Sequence, residues 1–286
     1  MFPALQGEPR CPGNVPSIRP RFVERSIIIV PVTLNDSGPY DFVLDTAAQV
    51  TTVDPALASE LHLKQEGTAG VSGAAFSTQA GYAHADMLRA GEYTIKDALI
   101  LVHNLGQIQL TDRRVRGILG ENFLEHFDLL IDYPRGLICL DDGRRLRDKV
   151  QGERITLEAS PDAAQNLPFT EPLIVRVRLA GREGRQLLLQ LDSGINAPLL
   201  FEAVDRATRM AALQSVDTDG VRRAYEVLPP RDVQIGKNLF HQISFVVPSA
   251  HGGGIRDSKI DGVLPTILFQ RAFISYTDHV AVLEPW

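Results

Sequence analysis

Residues 187–200 read LLLQLDSGINAPLL. An apolar run delivers one carboxylate, Asp192, to a small-residue turn, Ser193-Gly194, and apolar residues resume after it. A buried strand that ends in an aspartate is costly unless the charge is paired or used. Residues 40–53, YDFVLDTAAQVTTV, repeat the design with Asp45 in the place of Asp192. The two copies make the chain a tandem, with one carboxylate from each half.

Other pairs keep nearly the same spacing. Asp45 and Asp192 are 147 residues apart, Gly117 and Gly262 145 apart, and Tyr133 and Tyr276 143 apart. Small loop deletions produce such a drift, and a period this long means two domain-sized units rather than a solenoid. The 286 residues, 44% of them hydrophobic, suffice for one large or two ordinary domains. A charged, apolar-poor stretch, 141–153, sets the boundary, giving an N-terminal half at 21–150 and a C-terminal half at 151–286. Residues 1–20, with five prolines, read as an extended arm or a disordered lead-in.

The local patterns are mostly strands. Ser26–Leu34 is β-rich and interrupted by Pro31, which argues for an edge or a bulge. The turn cluster 35–39 joins it to a second strand, Tyr40–Leu44, with Asp45 at the exit. Asp54-Pro55 marks a helix start, with the aspartate as cap and the proline in the first turn. Residues 67–81 are rich in Gly, Ala and Ser and suit a hairpin over a cleft. Tyr93–Val102, Phe127–Tyr133 and Leu137–Leu140 read as strands, and Asn122–His126 as a short helix. The second half restarts the programme with strands at Leu173–Leu179 and Leu187–Leu191, a helix-like Phe201–Met210, and strands at Val233–Ile235 and Ile243–Val247.

Composition excludes several classes. The net charge of −6 gives no global reason to expect nucleic acid, and the cluster Arg144, Arg145, Arg147 reads as solvated surface. No segment approaches the ~18 apolar residues of a membrane-spanning helix. The N-terminus lacks the charged start and apolar core of a secretory signal, so the protein stays inside or the sequence begins after cleavage. Cys11 and Cys139 are either one disulfide of an exported protein or two unrelated thiols. The histidines are scattered and no His-Glu-x-x-His helix is present, so no metal and no cofactor is expected. His251-Gly252-Gly253-Gly254 lacks the Gly-x-Ser-x-Gly elbow of a lipase-type hydrolase and reads as a loop.

Two aspartates brought face to face cannot both ionise freely, so the pair shares a proton over a range of pH. The ionised member can take a proton from a water, and the protonated member can polarise a carbonyl. Thr46 and Ser193 have hydroxyls able to bond across an interface and fix the two loops. Gly194 permits close backbone approach.

These stretches resemble the retropepsin and pepsin group of aspartic proteases, especially the bacterial retropepsin-like proteins. The resemblance rests on Phe42-Val43-Leu44-Asp45-Thr46-Ala47-Ala48, on Leu189-Gln190-Leu191-Asp192-Ser193-Gly194, and on Ile118-Leu119-Gly120 with Phe127–Tyr133 behind it. It covers roughly residues 25–286 in element order. It implies a mainly β, two-lobed acid-protease-like fold, each lobe a small closed β-barrel with short helices and the site between the lobes. It further implies Asp45 and Asp192 as the catalytic pair, Thr46, Ala47, Ser193 and Gly194 as support, and Val71, Ser72, Gly73, Ala74 and Phe76 as flap. The implied activity is endopeptidase cleavage of a peptide or protein by a monomer with both lobes in one chain. Asp128 and Asp132 read as structural or exposed.

The chain departs from the family pattern twice. Ala47 stands where glycine is usual, and Pro265 stands where the second apolar-apolar element usually ends in glycine. Ala47 is tolerated if its φ is negative and strains the loop by roughly 1–3 kcal/mol otherwise. The alternative to a protease is therefore a catalytically impaired relative that serves as a peptide-binding or scaffold module.

Overall fold

The computed structural model describes residues 10–72, 77–158, 172–179, 186–202, 211–216, 222–249 and 260–286. The expected helix over Phe201–Met210 and the loop His251–Gly254 fall largely or wholly outside them.

The described residues are mainly β and build three sheets. The first half forms an eight-stranded sheet in the order Arg21–Val23, Ile27–Leu34, Ser37–Leu44, Val115–Leu119, Thr52–Val53, Tyr93–Val102, Ser77–Ala90, Gly67–Ser72. A further pairing of Ile27–Leu34 with Ser77–Ala90, from Val32↔Ala90 to Leu34↔Leu88, closes six of these strands into a barrel. Asn35 and Asp36, both with positive φ (46° and 62°), make a tight two-residue turn whose twist suits a hairpin. The turn is narrower than the expected 35–39, because Ser37, Gly38 and Pro39 already belong to the strand. Pro31 is exposed and sits between the part of its strand paired to Arg21–Val23 and the part paired to Ser77–Ala90. A missing N–H is tolerated at such a gap.

The second half forms a curled nine-stranded sheet in the order Ala211–Val216, Arg222–Val227, Val246–Pro248, Leu199–Leu200, Gly262–Pro265, Gln186–Asp192, Ile174–Leu179, Arg231–Ile235, Asn238–Ile243. The duplication is visible in the register. Strand Ser37–Leu44 runs parallel to Val115–Leu119 with Phe42 opposite Gly117, and Gln186–Asp192 runs parallel to Gly262–Pro265 with Leu189 opposite Gly262. In both halves the glycine faces the residue three before the aspartate. The next strand in each half, Thr52–Val53 or Leu199–Leu200, pairs antiparallel with that same partner.

The third sheet belongs to both halves. Its order is Ser17–Ile18, Leu137–Asp141, Asp128–Asp132, Phe269–Ser275, Val280–Pro285, Ile155–Thr156. The central pairing, Leu130↔Phe273, joins one half to the other. Asp128 is buried in this seam and receives a bidentate bond from Arg147, Nε to Oδ2 at 2.8 Å and Nη2 to Oδ1 at 3.0 Å. Arg147 also reaches Asp278 at 2.6 Å. The solvated-surface reading of Arg147 is thus corrected: the buried carboxylate needs a cation, and Arg147 is itself buried to supply it. Arg145 caps the equally buried Asp141, and Arg144 stays exposed.

From Arg10 onward the N-terminal stretch is fastened down. Cys11 and Cys139 form a disulfide with Cα atoms 5.8 Å apart across 128 residues of sequence, and Ser17 pairs with Cys139 in the seam sheet. Both sulfurs lie in a small apolar cluster with Val15, Leu130, Leu146 and Phe273. A loop this long makes the cross-link worth about 4–5 kcal/mol in the chain-entropy picture. Cys11→Ser is therefore expected to lower unfolding stability by about 3–5 kcal/mol in chemical denaturation, and a loss below about 1 kcal/mol would show that the arm docks without its staple.

Candidate active site

Asp45 and Asp192 leave the ends of equivalent strands and meet between the lobes. Their side chains hydrogen-bond to each other. Two carboxyls can do so only if one keeps a proton. Asp192 is buried and Asp45 is partly buried.

The turn after each aspartate supplies donors. Ala47 N–H and Ala48 N–H donate to Asp45 Oδ1 at 2.8 and 3.1 Å, and Gly194 N–H donates to Asp192 Oδ1 at 2.7 Å. Burial of the surrounding protein pushes the Asp45 carboxyl up from its ordinary value, against the opposing pull of those two backbone donors and of Asp192.

Thr46 and Ser193 lock the two loops by exchange. Thr46 N–H donates to Ser193 Oγ and Ser193 N–H donates to Thr46 Oγ1, each at 3.1 Å. Thr46 Oγ1 in turn donates to the Leu191 carbonyl at 3.1 Å, and Ser193 Oγ to the Leu44 carbonyl at 2.8 Å. Both hydroxyls are fully used, both are buried, and every one of these bonds crosses between the halves.

The two departures are absorbed without backbone strain. Ala47 lies outside the left-handed region, so its methyl group is accommodated. Its counterpart Gly194 has no such freedom: a methyl group there would lie 2.6 Å from Asp45 Oδ2. A methyl group at Gly120 would meet the Ala48 carbonyl oxygen at 2.5 Å, whereas Pro265 sits in the equivalent place with an ordinary extended φ of −69°.

Several supporting residues escape a motif reading. Asn122 Oδ1 accepts from Thr51 N–H at 2.7 Å and Thr51 Oγ1 at 2.8 Å, while its Nδ2 donates to the Leu99 carbonyl at 2.9 Å. Thr51 Oγ1 accepts from Gly120 N–H at 3.1 Å, so these bonds tie the Asp45 loop to the strand beside it. On the Asp192 side, Thr266 Oγ1 and the Tyr133 hydroxyl, one from each half, share a buried hydrogen bond of 2.7 Å. Superposing the two halves on their aspartates would have pointed to positions 121 and 266, which follow Gly120 and Pro265. Nothing in the residue types there signals the role.

Val71 and Ser72 end the strand Gly67–Ser72, which pairs with Ser77–Ala90 up to Ser72↔Ser77, so the described part is a hairpin. Gly73, Ala74 and Phe76 lie outside the described residues. Among the described residues, no group of three or more His, Cys, Asp or Glu is placed to hold a metal ion. No helix among them is long and apolar enough to cross a membrane.

Residues 30–123 match a protein-family model described as aspartyl protease. That span contains the Asp45 turn and Gly120, and it supports the resemblance to aspartic proteases. No curated protein matches the chain. Among solved structures, the chain is similar to a retropepsin-like aspartic protease from Rickettsia conorii, at 18% identity and a TM-score of 0.32, covering 43% of this chain and 87% of that one.

The cross-lobe exchange leads to a stability prediction. Thr46→Val keeps the shape but leaves the Ser193 N–H and the Leu191 carbonyl without their partner, at a cost of about 2–4 kcal/mol. Thr46→Ser should recover most of it. Chemical denaturation of both variants checks this, and a Thr46→Val loss under about 0.5 kcal/mol would contradict it.

Proposed function

We propose that the protein is an aspartic endopeptidase, with Asp45 and Asp192 activating a water between them. The observation that carries this reading is the hydrogen-bonded carboxyl pair, one member from each half, held by the Thr46–Ser193 exchange. The match of residues 30–123 to an aspartyl protease family supports hydrolysis of peptide bonds.

The chemistry follows from the shared proton. The ionised carboxylate takes a proton from water as its oxygen attacks the scissile carbonyl carbon. The protonated carboxyl donates to the carbonyl oxygen as charge develops there. In the tetrahedral intermediate both hydroxyls stay within reach of the pair. Collapse then breaks the C–N bond as a proton passes to the leaving nitrogen. Gly194 lets the backbone lie against Asp45, and the turn donors keep each inner oxygen pointed away from the substrate.

An extended peptide would lie in the cleft by strand-like backbone pairing, with the hairpin Gly67–Ser72 and Ser77–Ala90 as its cover. Both carboxylates come from one chain, which fits a monomer. The disulfide fits an oxidising compartment and so an exported protein.

Cleavage of a peptide library by the wild type, Asp45→Asn and Asp192→Asn tests the reading. Either substitution should lower kcat at least about 10³-fold while leaving the fold intact. Full activity in Asp45→Asn would overturn the shared pair, and peptide binding without cleavage by the wild type would mark a binding module. The pH profile has a defined sign. Asp45 is raised by burial, so one proton stays on the pair above the ordinary aspartate range. Activity should accordingly fall as pH rises through that raised value. A rate that climbs steadily to alkaline pH would contradict the mechanism.

A further inference from the structure

Directly after Gly120, the residue Glu121 opens the short helix Glu121–Leu124 and is completely buried. Neither of its carboxyl oxygens has a hydrogen-bond partner among the described residues. A buried acid in that state keeps its proton or exacts a large cost. The backbone ties it to the aspartate pair. Glu121 N–H donates to the Ala48 carbonyl at 2.7 Å, and Ala48 N–H donates to Asp45 Oδ1.

The duplication shows what this position does in the other half. Thr266 is the counterpart of Glu121, 145 residues on, and Tyr133 is the counterpart of Tyr276, 143 residues back. On the Asp192 side, Thr266 and Tyr133 satisfy each other at 2.7 Å. On the Asp45 side the threonine is replaced by a glutamate, and the buried Tyr276 hydroxyl has no partner among the described residues. The Asp192 side thus carries a neutral, closed pair. The other carries an ionisable group in the same place.

Among the described residues, the charged and titratable groups facing Glu121 are few. They are Asp45 and Asp192 on the two turns, Glu125 one helical turn further along, and Tyr276 at the end of its strand. All are acids. Burial first, and then the charge of Asp45, push the Glu121 carboxyl well above its usual range. Burial and the charge of Glu121 push the Tyr276 hydroxyl up in turn.

We infer that Glu121 is a positioning residue for the pair: a third carboxyl, buried beside Asp45, whose proton is linked to the proton that Asp45 and Asp192 share. This rests on the protease reading for its functional consequence, but the linkage itself does not. Loss of the pair's last proton leaves a negative charge next to Glu121 and holds the Glu121 proton in place. The consequence is a third carboxyl that stays neutral while the pair titrates, where one ionising at its ordinary value would repel the pair's remaining charge.

The test has one arm without catalysis and one with it. Unfolding is followed against pH for the wild type and Glu121→Gln. Below the ordinary glutamate value of 4.5 both native and unfolded states hold the Glu121 proton, and the two proteins should respond alike. Above it only the unfolded state releases the proton. The wild type should then lose stability relative to the variant by up to about tenfold in the unfolding constant per pH unit. The gap should shrink at least about threefold when measured in an Asp45→Asn, Asp192→Asn background. No gap, or a gap indifferent to that background, overturns the inference.

In the second arm, kcat/KM is measured against pH for the wild type, Glu121→Gln and Glu121→Thr, the last restoring the pairing seen in the other half. Both limbs should stay in place in both variants, because each is neutral as the protonated Glu121 is. An alkaline limb that moves to lower pH by about one unit or more would show that Glu121 ionises before the pair and overturns the inference. If the wild type cleaves nothing while the first arm behaves as expected, the protease reading fails and the linked third carboxyl stands.

Discussion

The exchange of hydrogen bonds between Thr46 and Ser193 fixes how the two aspartate turns meet. Each loop carries a carboxylate that would repel the other, and each must nonetheless stop at hydrogen-bonding range. The four bonds use two backbone N–H groups, two backbone carbonyls and both hydroxyls, leaving none of these buried groups unpaired. Because every bond crosses between the halves, neither loop can take this form alone. The seam sheet, with Leu130 opposite Phe273, brings the halves to the distance at which the exchange closes. The Cys11–Cys139 staple and the buried Arg147–Asp128 pair hold that sheet.

Within this near-symmetric frame the halves have diverged where the backbone permits. Gly194 is held to glycine by the Asp45 carboxyl, while its counterpart Ala47 carries a methyl group at no cost in φ. Gly120 is held to glycine by the Ala48 carbonyl, while its counterpart Pro265 is not. Each half therefore keeps one glycine and relaxes the other. The same asymmetry extends one layer down, where Thr266 and Tyr133 satisfy each other while their counterparts Glu121 and Tyr276 have no hydrogen-bond partner among the described residues. The carboxyls share two turns of matched geometry but sit over different chemistry.

Much of the site was legible because duplication repeats a pattern against itself. The strand-aspartate-turn stretches, the hydroxyls at 46 and 193, the capped helix after Asp54 and the hairpin over 67–81 all have local signatures. Asp54 Oδ1 does accept from Leu57 N–H at 2.7 Å, as the cap pattern implies. What stayed illegible is non-local. The run 128–132 is apolar enough to be a strand anywhere, and nothing local says that its partner lies in the other half. Arg147 sits in a charged run and looks solvated until Asp128 is known to be buried beneath it. Two cysteines 128 residues apart cannot announce a bond before the fold brings them together. Glu121 carried no signal as a residue type; only its burial and its counterpart Thr266 reveal it.

If Asp45 and Asp192 form one titrating unit with a single shared proton, carbon NMR of protein labelled at the aspartate carboxyl carbons, titrated from pH 2 to 9, will show it. Two well-separated steps are expected for this pair, one below and one above the ordinary aspartate range near 4, with both resonances responding to both steps. Two independent single-step titrations near 4 would show that the carboxyls do not share a proton and would contradict a single titrating unit.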